Sequence, residues 1–280
     1  MSGLYAGNVS SLNEKPKILQ ISCNAPFKYL VPKIGGEMKV YCLEVSGNFA
    51  CFTRPEMKVE RVSYDVITPS AARAVFEAIL WKPAICWQVC KIEVLSPIRW
   101  INLRRNEVGS VASRRNIEGA MKSGMGQLGM YVEDVRQQRA GLFLRDVHYR
   151  IHASFELRDP SSHKPSFPHL SKRTVNSDEI DMNDDPNQTV KFMTMFERRA
   201  SKGQCVNQPY LGCREFAADF RLVEAEDPYP EPVSETRELG YMLYDMDYRN
   251  PADPTPRFFR ARLMNGVVDV PAWDSEEVRG

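Results

Sequence analysis

Residues 147–157, VHYRIHASFEL, alternate strictly between apolar and polar side chains. In an extended chain Val147, Tyr149, Ile151, Ala153, Phe155 and Leu157 share one face, and His148, Arg150, His152, Ser154 and Glu156 share the other. That period commits the segment to a strand with one apolar and one polar face. His148 and His152 stand roughly 13 Å apart along such a strand, too far to chelate one ion. Their polar face is either a solvated sheet surface or, with Arg150, a surface for a phosphate backbone.

The rest of the chain arranges itself around this strand. Residues 1–37 are weakly patterned and read as an N-terminal extension. KVYCLEVS (39–46) alternates as a strand, and a charged loop, 52–63, follows. Thr68 and Pro69 open a helix, threonine as the cap and proline at the first helical position. Its apolar residues Ala72, Val75, Phe76, Ile79 and Leu80 form one stripe. Pro83 disfavours helix at Lys82 and ends it. AICWQVCKIEVL (84–95) then reads as a buried strand, and the basic, glycine-bearing stretch 104–139 as an extended hairpin or mobile loop. Residues 158–188 are a polar insertion. DEIDMNDD within them lacks the glycine and final glutamate of a calcium loop.

A second helix is expected over 189–202, with Phe192, Met193, Phe196 and Ala200 on its apolar side, Lys191, Arg198 and Lys202 on a basic side, and Gly203 closing it. Strands follow at 215–224, 239–248, 257–264 and 267–270. Asn265-Gly266 joins the last two as a hairpin turn. The fold class is therefore α+β: a ferredoxin-like domain over 38–210, with a basic hairpin insertion, then a small antiparallel β domain over 211–280.

Several chemistries lack a foundation. There is no Gly-x-Ser-x-Gly elbow, and the glycines at 123–131 do not make a phosphate loop. Cys86 and Cys90 have no second cysteine pair for zinc, and Asp245-x-Asp247 alone is a weak metal signal, so no metal or cofactor is expected. The seven cysteines show no disulfide framework, there is no secretory signal, and no apolar run spans a membrane. The expectation is a cytoplasmic chain.

Charge distribution points elsewhere. Net charge is +1, but residues 99–122 carry six basic residues against two acidic, and 224–253 nine acidic against two basic. Such polarity can orient a chain on a polyanion. Arg54, Lys58 and Arg61 lie on the first loop, Arg73 on the first helix, Lys82 after it, Arg104 and Arg105 past the buried strand, and Lys191 and Arg198 on the second helix. With Tyr64, Trp81 and Tyr131 they form the mix of cations and aromatics that single-stranded RNA binding uses.

The strings FTRPEMKVERVSYDVITPSAARAVFEAILWKPAI (52–85), RRNEV (104–108), RQQRAGLFLRDVHYRIHASFEL (136–157), LGCREFAADF (211–220) and ELGYML (238–243) resemble the Cas-five family of type I-C (Dvulg) CRISPR systems. The likeness runs from about residue 38 to the C-terminus, leaving out about 160–188. It implies a ferredoxin-like, RNA-recognition-type domain and a small C-terminal β domain. It also implies a subunit that binds the 5′ handle of CRISPR RNA and caps an interference complex. Its partners there would be Cas-seven backbone subunits, the large subunit and, through the complex, target DNA. Members usually also cut precursor RNA without metal, a base taking the 2′-hydroxyl proton and a cation stabilising the phosphate. The resemblance places the proton-transfer groups just before Trp81-Lys82-Pro83 and in a Lys-His pair opening the second helix. Here those positions read Leu80 and Lys191-Phe192: the lysine remains, and hydrocarbon replaces both proton-transfer side chains. Two readings follow. One is an RNA-binding subunit that has lost processing. The alternative is an active endoribonuclease using Lys191 with a relocated base, such as His148, His152 or Tyr64.

Overall fold

The computed structural model describes residues 33–34, 37–57, 59–126, 128–157, 186–224, 227–250 and 252–280. Most of the 1–37 extension, Lys58 and the insertion through residue 185 lie outside them. Strands β1 (Lys33–Ile34) and β2 (Glu37–Met38) pair with each other. After them come β3 (Tyr41–Ala50), α1 (Pro69–Ile79), β4 (Ile85–Val94), β5 (Arg99–Val108), α2 (Arg114–Ser123), α3 (Val132–Val135), β6 (Arg136–Leu157), α4 (Pro186–Ala200), β7 (Asp219–Leu222), β8 (Arg237–Asp247), β9 (Thr255–Leu263) and β10 (Val267–Asp269). The class is mixed α/β with antiparallel sheets.

The alternating segment becomes the centre of the main sheet. Its strand order is β10-β4-β6-β3-β7, with β5 also on β6. The 22-residue β6 serves two purposes. Its second half pairs with β4 from Tyr149 onward, while Arg136–Arg145 pairs with β5 in a projecting hairpin. A helix, α2, sits at the hairpin's tip, where the sequence reading expected only an extended hairpin or mobile loop.

One sheet face is hydrocarbon. Tyr41, Leu43 and Val45 lie opposite Ala153, Ile151 and Tyr149, and Ile85 and Trp87 opposite Leu157 and Phe155. The register slips at Cys90, so Val89, Ile92 and Val94 all still face the core. α1 and α4 cover this face. Phe196 of α4 lies 4.7 Å from Trp87 and 4.8 Å from Tyr41, ring centre to ring centre. Phe76 of α1 lies 4.9 Å from Trp87.

The other face departs from the open polar surface expected. The chain after β7 crosses it as a strap: Val223 N–H donates to Cys42 O on one side and Val233 N–H to Val94 O on the other, each at 2.9 Å. Beneath it Arg150, His152 and Ser154 are buried. The alternation placed the polar side chains together correctly. Coverage by a distant segment was outside what a local period reports.

Asn265 and Gly266 do form the two-residue turn, at φ 48° and 75°, and Met264 and Val267 exchange hydrogen bonds across it. The hairpin ends there. β9 pairs with β8, while β10 leaves to pair with β4. β7 and β10 thus belong to the main sheet, and β8 with β9 forms a separate ribbon.

Candidate nucleic-acid interface

The end of α1 shows how the chain handles three carbonyls that a helix leaves without internal partners. Ala78 O accepts from Val206 N–H at 2.8 Å, Ile79 O from the Arg199 guanidinium at 2.9 Å, and Leu80 O from the Trp87 indole at 2.9 Å. The first two tie the end of α1 to the end of α4 and the chain just after it, and the third ties it to β4. Leu80 is the C-cap, extended at φ −144°, and its side chain is fully buried. Trp81 then emerges at 55% exposure, with Lys82 half-buried behind it.

α4 divides its residues as the sequence predicts. Phe192, Met193, Phe196 and Ala200 are buried, and Lys191, Thr194 and Arg198 share an exposed side. Lys202 follows in the exposed turn that Gly203 closes at φ 63°. Leu80 and Phe192, the two positions of interest for proton transfer, both join the main hydrophobic core.

The remaining basic residues split into two groups. Arg104 on β5 is exposed and has no ion-pair partner among the described residues. Others are engaged. Arg73 bonds Asp245 at 2.6 Å and Glu77 at 2.5 Å; burial works to lower its pKa, but these carboxylates raise it, so it is a strut between α1 and β8 rather than a free cation. Asp245, half of the weak Asp-x-Asp signal, is its partner, and Asp247 is held by Arg249 at 2.5 Å. Arg54 bonds Asp65 and lies 4.4 Å over the Tyr64 ring. Arg61 stands 3.6 Å from Glu107 and 3.8 Å from Glu215, and Arg105 pairs with the same two carboxylates. Arg139, which the pattern did not single out, joins them 3.8 Å from Glu107. Pairing across four segments left no local signal.

Tyr64 is corrected outright. It is 1% exposed and burial raises its pKa, so it is neither a stacking platform nor an accessible base. The histidines are engaged as well. His148 bonds Glu44 at 2.9 Å. His152 bonds Glu93 at 3.1 Å beneath the strap, beside the Tyr229 hydroxyl at 3.4 Å. Both lie on the sheet face opposite the one that α4 covers, so the sheet separates them from Lys191. His163 and His169 lie outside the described residues. Among the described residues no group of three or more His, Cys, Asp or Glu could hold a metal ion, and no helix is long and apolar enough to cross a membrane.

Comparison with known proteins settles the family. The family model described as CRISPR-associated protein (Cas_Cas5), of the Cas5d type, matches residues 40–271. The chain belongs to the Cas5d family. A Mannheimia succiniciproducens protein named CRISPR pre-crRNA endoribonuclease Cas5d is 48% identical over 242 residues, 85% of this chain and 97% of that one. A Thermus thermophilus protein of the same name is 38% identical over 253 residues, 84% and 93% of the two chains. Two solved structures share the fold at TM-score 0.55 and 86% coverage of this chain. One, described as a CRISPR-associated protein, is 22% identical; the other, a functionally uncharacterized Streptococcus mutans protein, is 18% identical, and each is covered over 97% of its length.

Proposed function

We propose that this Cas5d family member is the CRISPR RNA-binding subunit of a type I-C-like interference complex. It holds the 5′ repeat handle and caps the assembly against Cas-seven backbone subunits and the large subunit, and meets target DNA through the complex, in the cytoplasm. Processing activity is lost. The observation that carries the reading is the fate of two positions. Leu80 and Phe192 are 0% and 8% exposed and packed as core, while Trp81, Lys191 and Arg198 beside them remain exposed. Cations and an aromatic ring suit backbone contact and base stacking. Hydrocarbon at the other two positions supplies no proton transfer, a contribution that is commonly about 10²–10⁴-fold. The strand order β4-β6-β3-β7, all antiparallel, with α1 and α4 on one face, supports reading the main domain as ferredoxin-like.

The second reading, an active endoribonuclease, draws on the 48% identity to the Mannheimia protein of that name. It retains Lys191, but the relocated bases first considered do not serve it: His148 and His152 lie across the sheet and Tyr64 is buried.

The deciding experiment incubates the purified chain with its cognate repeat RNA in EDTA. The expected result is binding without cleavage, weakening with salt. A discrete cut at the base of the repeat stem overturns the loss of activity. Cleavage gained by Leu80→His with Phe192→His would show which groups are missing.

A further inference from the structure

The base of the β5–β6 hairpin holds two thiols that RNA binding does not use. Cys51 follows β3 and Cys213 lies in the loop before β7. Backbone brings them together: Cys51 N–H donates to Leu211 O at 3.0 Å. Gly212, at φ 82°, turns the loop so closely against Cys51 that any Cβ there would collide with the Cys51 carbonyl. The Cys213 sulfur lies 3.9 Å from the Cys51 carbonyl oxygen and accepts from Arg61 Nη1 at 3.3 Å, and the Cys51 sulfur lies 3.5 Å from Thr53 Oγ1. Phe143 packs against the pair. Cys51 is fully buried, and Cys213 keeps 7% of its surface open.

Most buried thiols are inert. The half-buried Cys42 behaves likewise: burial, with Glu93 adding to it, pushes its pKa up to about 12. Cys213 goes the other way, downward: contact with the Cys51 side chain contributes most and Arg61 adds to it, against burial and Glu215.

We propose that Cys51 and Cys213 are an oxidisable dithiol whose co-substrate is a small hydroperoxide, with Cys213 as the attacking sulfur and Cys51 as the resolving one. The Cys213 thiolate attacks one peroxide oxygen. An S–O bond forms, the O–O bond breaks, and the departing hydroxide takes a proton to become water. The Cys51 sulfur then attacks the Cys213 sulfenic acid. An S–S bond forms, the S–O bond breaks, and the hydroxyl leaves with the Cys51 proton as a second water. Two thiols are oxidised by two electrons, and hydrogen peroxide is reduced to two waters. The product ties the end of β3 to the loop carrying Glu215 and abolishes the thiolate charge on the sulfur that Arg61 contacts.

The test treats the reduced full-length chain with hydrogen peroxide and maps peptides without reduction. A Cys51–Cys213 cross-link should form before any other cysteine oxidises, with a rate rising roughly tenfold per pH unit below the Cys213 pKa and levelling above it. In Cys51→Ser, dimedone should label Cys213; in Cys213→Ser, it should leave Cys51 unlabelled. Oxidation of Cys42, Cys86, Cys90 or Cys205 first, or no cross-link in the unsubstituted chain, overturns the proposal. That arm needs no variant to fold.

Discussion

The two faces of the central sheet are both buried, by opposite means. On one face Trp87, Phe155, Tyr41, Phe76 and Phe196 interlock as hydrocarbon. On the other, Glu93 sits at the hub of an ionic network. It takes Arg150 Nε at 3.1 Å, His152 at 3.1 Å, Lys91 at 2.7 Å and the Tyr229 hydroxyl at 3.1 Å. Arg150 is fully buried, its guanidinium lies 3.3 Å over the Tyr229 ring, and it also donates to Pro230 O. The apolar face needs no particular partner for each group, whereas every charge on the polar face depends on its counterpart. The contrast shows that a polar strand face can belong to a second core once a distant segment covers it.

The largest expected effects break one face at a time. Phe196→Ala should cost about 3–5 kcal/mol in urea unfolding through the cavity left beside Trp87. Glu93→Ala should cost a similar ~3–5 kcal/mol, because it strands Arg150 without a counter-charge. A Glu93→Ala loss below about 1 kcal/mol would mean that water reaches the network and the two faces are not alike.

Acid separates them further. Burial alone would raise the Glu93 pKa, but hydrogen bonds from His152 and Lys91 outweigh it and lower the value to about 2. A carboxylate depressed by folding stabilises the chain above its unfolded pKa, and that stability drains away as pH falls through the folded value. About 3 kcal/mol should therefore be lost between roughly pH 4.5 and 2. Glu93→Gln should flatten that slope, whereas Phe196→Ala should leave its shape intact. An unchanged acid profile in Glu93→Gln would remove Glu93 from the hub.

Smaller effects sort paired cations from free ones. Arg73→Ala should cost about 1–3 kcal/mol of stability by orphaning Asp245, with RNA affinity retained. Arg198→Ala should do the reverse: weaker RNA binding, a salt slope reduced by about 0.7, and stability within about 0.5 kcal/mol. Equal losses of RNA binding in both would erase the distinction. Least of all, Arg221→Ala at the rim of the polar face, 45% exposed and 2.8 Å from Glu44, should cost below about 1 kcal/mol, and high salt should shrink that further.

Much of the fold was legible because its signals are local. Thr68 caps α1 by accepting from Ala71 N–H, Pro69 opens it, and Leu80 ends it before the Lys-Pro step. Strict alternation in 147–157 set both faces of β6. The Leu80 and Lys191-Phe192 departures were legible too, as residue identities, but only as absences against a family pattern. Which arginines are free was not legible, because Arg61 and Arg105 meet Glu107 and Glu215, and Arg139 meets Glu107, only after four segments converge.

By itself the sequence determined which residues extend, which coil, and which side chains share a face, since backbone sterics and side-chain period act within a few residues. Tertiary structure alone decided that a strap from beyond β7 would cover the polar face of β6. It also decided that β10 would leave its Asn265-Gly266 turn to pair with β4, and that Cys51 would meet Cys213. Those outcomes depend on which distant segments find each other, and burial and charge pairing settle that only when the whole chain is folded.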